Sequence, residues 1–353
     1  MNGHAMNQAG GSTDWVALLA GTARHGGHAS VRRTAPEDVR WKVALPDAVR
    51  SSPILGAGVL YVTARDGCLY ALDARTGRVR WTFQASASLH STPALSGDLV
   101  LCGSDDGSVY AIEQSSGRAR WTATVEGPVW TSPVVRGESV YVGSSGGVVA
   151  ALERATGKAR WTRTFDARVH STPYLDDRLM YFGCSDGAVV ALEQASGRDA
   201  WRCQTDDSVT ASPAVSAGVV IVGSEDHHVY GLDAASGAVR WKVETGLGVA
   251  GAAAVHDGVA YVGSKDGHLY ALQVADGRER WRTPSVRQIT AAPVAGDGLV
   301  CIQGFWGSTI AYDTASGEML WRANLGGSLQ STPVLTAEAV YLATYPGVVY
   351  ALR

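Results

Sequence analysis

From Ser51 to Trp321 the chain repeats one pattern of apolar and polar positions every 40 residues. In the first copy "SSPIL" opens at Ser51, the apolar run "VLYVTA" follows, and "RDG" interrupts it. A second run, "CLYALD", leads to "TGR", and a third, "VRWTF", closes the unit. Short apolar runs bounded by Asp-Gly and Thr-Gly turns read as antiparallel strands joined by hairpins. The segment after "SxP" adds one more strand, so each unit holds four. Tryptophan recurs at one place in the last run, at Trp41, Trp81, Trp121, Trp161, Trp201, Trp241, Trp281 and Trp321. Glycine recurs in the last turn, from Gly77 to Gly317, the mark of a backbone position with φ above zero.

Four antiparallel strands in 40 residues make a propeller blade. A blade cannot cover its own two faces, so neighbouring blades must, and the recurring indole is a plate for that contact. Seven units run complete. The eighth opens with "STPVL" at Ser331 and ends with "VVYALR" at Arg353, without its tryptophan strand. That strand stands at the other end of the chain, in "DVRWKVAL" from Asp38 to Leu45. The pattern predicts an all-β, eight-bladed β-propeller of four-stranded blades, closed by pairing the N-terminal strand with the last blade. Closure removes the edges that an open sheet would expose. Residues 1–37 read as a partly flexible N-terminal arm and residues 38–353 as the propeller.

"YALDARTGRVRW" and "GSDDGSVYAIEQSSGRARW" resemble the repeats of the pyrroloquinoline-quinone-type propeller superfamily. Its members include eight-bladed quinoprotein alcohol dehydrogenases and the outer-membrane assembly lipoprotein BamB. The resemblance covers residues 38–353, and "DWVALLAGTARHGG" upstream is similar to the family's lead-in. It implies the eight-bladed fold. For the enzymes it also implies a quinone under adjacent cysteines and a calcium ion held by acidic side chains and Asn. No Cys-Cys pair occurs here, and Asp66, Asp106, Asp186, Asp226 and Asp266 all sit in the repeated turn, where turn chemistry explains them. The expectation is no bound quinone, no required metal and no other cofactor. The lipoprotein implies a secretion signal and a lipidated cysteine near the start, whereas the first cysteine is Cys68, inside blade 1.

Charge adds exclusions. The net charge is −3 with no basic block, which argues against a nucleic-acid partner. The five cysteines are odd in number and form no CxxC, so they read as free thiols rather than a disulfide framework or a thiolate metal site. No apolar stretch reaches membrane-spanning length and the first residues carry no secretory pattern, from which a cytoplasmic location is expected.

Candidate chemistry lies where the repeat varies. The residue before each "SxP" segment enters the innermost strand and reads Arg50, His90, Trp130, His170, Thr210, Ala250, Thr290 and Gln330 around the ring. A packing position has no reason to vary so widely in polarity, whereas a position facing a central mouth has one. The "GSxDG" turn supplies a second variable ring: Arg65, Asp105, Ser145, Ser185, Glu225, Lys265, Phe305 and Tyr345. Blade 7 departs furthest, with Phe305 and Trp306 in "CIQGFWGSTIAYD". Arg50, Trp130, Phe305, Trp306, Gln330 and Tyr345 are the candidate ligand-binding residues of an aromatic-walled mouth, with Arg50 suited to a carboxylate, phenolate or enolate. His90 and His170 are the candidate acid–base pair, two blades and about 10 Å apart. Tyr174 reads as core filling. The adjacent His227 and His228 point to opposite faces of an extended segment and do not share a ligand.

The reading is a propeller without redox chemistry that binds an aromatic-containing small molecule or a protein on its mouth face. A non-redox enzyme, cyclase- or isomerase-like, is the first alternative. A periplasmic BamB-like scaffold is the second.

Overall fold

A computed structural model describes residues 38–353 apart from 286–287, 305–306 and 328–330. Eight four-stranded antiparallel sheets are arranged as a propeller. Blade 1 runs outward from Ile54–Gly56 through Val59–Thr63 and Cys68–Asp73 to Val79–Gln84. Blades 2 to 7 repeat this order. Blade 8 takes Val334–Leu335, Val340–Ala343 and Val348–Leu352 from the end of the chain and Val39–Ala44 from its beginning. Trp41 pairs with Ala351 and Lys42 with Tyr350, so the expected closure is present. The N-terminal arm, residues 1–37, lies outside the described residues.

The apolar core is divided into eight clusters, one per seam between blades. At the seam of blades 8 and 1, Leu60, Val62 and Leu72 meet Ala343, Val349 and Ala351, all fully buried. Each outer strand carries one extra residue just before its tryptophan, as Arg80 is between Val79 and Trp81 in the pairing with Leu72 and Ala71. A bulge raises the local twist. The indole then crosses to the next blade, where Trp81 Nε1–H donates to the Gln114 carbonyl at 2.8 Å. The same bond recurs from Trp41 to Ala74 at 2.9 Å and from Trp201 to Ala234 at 2.9 Å. The turn glycine has a second duty beyond its left-handed φ of 73°. A Cβ on Gly77 would stand 2.8 Å from the Trp41 ring.

Trp321 departs from this rule. Its buried Nε1 has no hydrogen-bond partner among the described residues.

Candidate functional site

Two hydroxyl positions hold the mouth together. Where the first residue of the "SxP" segment is Ser or Thr, as in every blade but 5, 6 and 7 with Ala211, Gly251 and Ala291, it ties the inbound chain to the second strand of its own blade. Ser91 Oγ donates to the Gly103 carbonyl at 3.1 Å and accepts the Gly103 N–H at 2.7 Å, and Ser171 does the same with Gly183 at 3.0 and 2.6 Å. The middle residue ties one blade to the next. Ser52 N–H donates to Thr92 Oγ1 at 3.0 Å, Ser132 N–H to Thr172 Oγ1 at 3.0 Å and Thr172 N–H to Ser212 Oγ at 2.9 Å. Thr332 N–H donates to Ser52 Oγ at 2.8 Å and carries this girdle across the junction of the chain ends. Ala252 and Ala292 interrupt it in blades 6 and 7. The residue preceding each segment is thereby held at the mouth.

Within that frame His90, Trp130 and His170 form one cluster. Trp130 is 43% exposed. Its ring centroid lies 6.2 Å from His90, nearly edge-on, and 4.9 Å from His170. Asp105 ties the group together, accepting Trp130 Nε1–H at 2.7 Å on one oxygen while the other stands 3.2 Å from His90 Nε2. Ser145 Oγ lies 3.0 Å from His170 Nε2. Burial pulls the His90 pKa below its ordinary value; Asp105 opposes this, and Arg50 and Arg65 reinforce it. Burial and Arg168 lower that of His170.

One blade away, the Arg50 guanidinium carbon sits 5.3 Å from the centre of the Tyr345 ring. Hydrogen bonding to Arg50 and the fields of Arg50 and Arg65 hold the Tyr345 phenol below its usual pKa. Phe305, Trp306 and Gln330, the other expected binding residues, lie outside the described residues. Tyr174 packs against the cluster between blades 4 and 5. His227 adopts φ 70° at the turn position that glycine holds in the other blades.

Sequence reasoning singles out the indole and the two imidazoles but not Asp105, which joins them. Its signal is an acid in the second variable ring, one blade before the only tryptophan of the first ring. A groove of about 390 Å³ between the outer strands of blades 3 and 4 is also new. Phe165 and Trp201 line it, and its arginines are committed, Arg163 to Asp199 at 2.9 Å and Arg202 to Asp186.

The donor set does not fit a quinone with a metal ion. The turn aspartates are engaged locally. Tyr230 and Tyr270 donate to Asp226 and Asp266 at 2.6 Å, and the backbone N–H two residues on donates to the other oxygen. No group of His, Cys, Asp or Glu suited to a metal occurs among the described residues. Cys102, Cys184 and Cys301 are buried in separate blades, and burial pushes each thiol up to about 12.

A family model described as outer membrane protein assembly factor BamB matches residues 5–131, 123–245 and 185–353. BamB from Moraxella catarrhalis superposes with a TM-score of 0.78 at 18% identity, covering 90% of this chain and 99% of that one. The computationally designed Ika8 protein gives 0.79 at 17% identity, covering 88% and 97%. A quinohemoprotein alcohol dehydrogenase from Pseudomonas putida HK5 gives 0.78 at 16% identity, covering 90% and 76%. These likenesses establish the fold. No curated protein matches the chain. The cytoplasmic location expected from the first residues is corrected by these findings, since the matching family is described by an outer-membrane assembly factor. The opening residues of a sequence do not decide its compartment.

Proposed function

This chain belongs to the family of the outer membrane protein assembly factor BamB, and we propose that it is a non-catalytic scaffold which receives a partner on its mouth face through Trp130. One observation carries the reading. A large apolar ring is left 43% exposed, yet Asp105 and two imidazoles restrain it. Tryptophan is enriched among residues that dominate binding energy, and an indole ordered beforehand loses little rotamer freedom on association. A partner covering it gains the apolar area and leaves the Asp105 bond intact. His90 and His170 act here as the walls that aim the ring. The eight lattice tryptophans carry the fold, so Trp130 can be removed without dismantling it.

The test is co-purification from solubilised cell envelopes, with retained proteins identified and their affinities then measured. Wild type is expected to retain a specific envelope protein, and Trp130→Ala to lose about 2 kcal/mol of that affinity, roughly 30-fold. Met319→Ala alters an equally apolar exposed residue at the far end of an outer strand and should retain the partner. Equal retention by both variants, or none by wild type, would sink the proposal.

A further inference from the structure

The two variable rings differ in how their charges are satisfied. Both of their acidic residues are committed within the mouth. Glu225 places each carboxylate oxygen 2.7 Å from Lys265 Nζ, and Asp105 is shared between His90 and Trp130. Asp66, next to Arg65 in sequence, accepts from Tyr70 and from the Cys68 N–H. The guanidiniums of Arg50 and Arg65 have no carboxylate within ion-pair distance among the described residues, and both are exposed. Arg50 lies against the Tyr345 ring, and both arginines act on the Tyr345 hydroxyl and on His90. Two cations beside one phenol repel each other and present a fork of donors to the mouth. The hydrogen bond from Arg50 and then the fields of both guanidiniums hold the Tyr345 phenol below its usual pKa.

We propose that Arg50, Arg65 and Tyr345 form a receptor for an oxyanion, a carboxylate or phosphate group carried by the molecule that Trp130 receives. The inference rests on the mouth being a recognition face. Planar guanidiniums match both groups through paired N–H donors, and the phenol O–H adds a third direction of approach. His90, its pKa lowered by burial, pairs with Asp105 and also feels the fields of Arg50 and Arg65. A chain with a net charge of −3 thus offers an anion a cationic corner at the mouth of its propeller.

Phenylacetate and phenyl phosphate are the probes, with phenethylamine as the cationic control of similar shape. Binding is followed by calorimetry and by ultraviolet titration of the Tyr345 phenol, using Tyr345→Phe to isolate its signal. Bound anion cancels the guanidinium field, so the phenol pKa should rise toward its ordinary value with either anion and stay put with the amine. Arg50→Gln should weaken anion binding roughly tenfold, and Arg50→Gln with Arg65→Gln should abolish it. The tighter of the two probes assigns the group as carboxylate or phosphate. No Tyr345 response to either anion, equal binding of the amine, or unchanged binding by the double variant overturns the proposal. Loss of the envelope partner in Trp130→Ala while the arginine variants bind both anions and that partner normally would leave the recognition face standing and remove the anion receptor. The reverse pattern would keep the receptor and remove Trp130.

Discussion

His90 and His170 are held neutral in the fold by burial, with arginine fields adding to the effect. Their folded pKa values lie below the unfolded value of about 6.5. As the pH falls through that value the unfolded chain binds protons at these positions before the folded chain does. Stability therefore drops with acidification and is whole above the unfolded pKa. Urea midpoints measured from pH 8 down to 5.5 should fall less steeply in His90→Gln/His170→Gln than in wild type. Parallel slopes would show that the imidazoles are not the titrating groups. Asp105 opposes the shift at His90, so Asp105→Ala should deepen that residue's pKa depression and free the Trp130 ring together.

At the level of the strand, blade 7 is where the repeat is violated inside the core. Gly103, Gly143, Gly183, Gly223 and Gly263 end the second strands of blades 2 to 6 because a Cβ there would run into the next blade. On Gly103 it would stand 2.4 Å from Val129 Cγ1. Blade 7 has Gln303 instead, paired across the sheet with Thr309, where the other blades have Val or Leu. Both are buried, and Gln303 Nε2 and Thr309 Oγ1 have no partner among the described residues, although Ser331 Oγ lies 3.3 Å from Gln303 Oε1. Buried polar atoms without partners are costly, and apolar groups of the same shape remove that cost. Gln303→Met with Thr309→Val should stabilise the protein by about 1–3 kcal/mol in chemical denaturation. A loss of stability would mean that these atoms are satisfied in solution, as by a buried water.

For the whole molecule, the decisive contact is the one between the chain ends. Val39–Ala44 pairs with Val348–Leu352, Trp41 bonds Ala74 of blade 1, and its ring lies 6.0 Å from Tyr341. Deleting residues 38–45 should expose the edge of Val348–Leu352 and strip the plate from Gly77, opening two neighbouring contacts at once. The expected result is loss of a single cooperative melting transition and aggregation on size-exclusion chromatography. A monomer with an unchanged melt would show that the ring does not depend on this strand.

Much of this architecture was legible in the residues themselves. Strand number, turn positions, the tryptophan lattice and the split last blade depend on local alternation and on turn chemistry, which each 40-residue unit carries in full. Comparing units within the chain also singled out Arg50, His90, Trp130 and His170, because they break a pattern that packing would otherwise preserve. Only the tertiary structure decided which of these residues meet. Neighbours in the ring are 40 positions apart, or 280 across the junction of the ends as for Ser52 and Thr332, and sequence order does not state the reach of a side chain. That Asp105 reaches Trp130 in the next blade, that Lys265 takes Glu225, and that Arg50 and Arg65 have no carboxylate within ion-pair distance among the described residues follow from the angle at which adjacent blades present their turns. Partner choice across a seam is a property of the closed ring: Asp105 and His90 share blade 2, but Trp130 stands in blade 3, and Glu225 and Lys265 stand in blades 5 and 6.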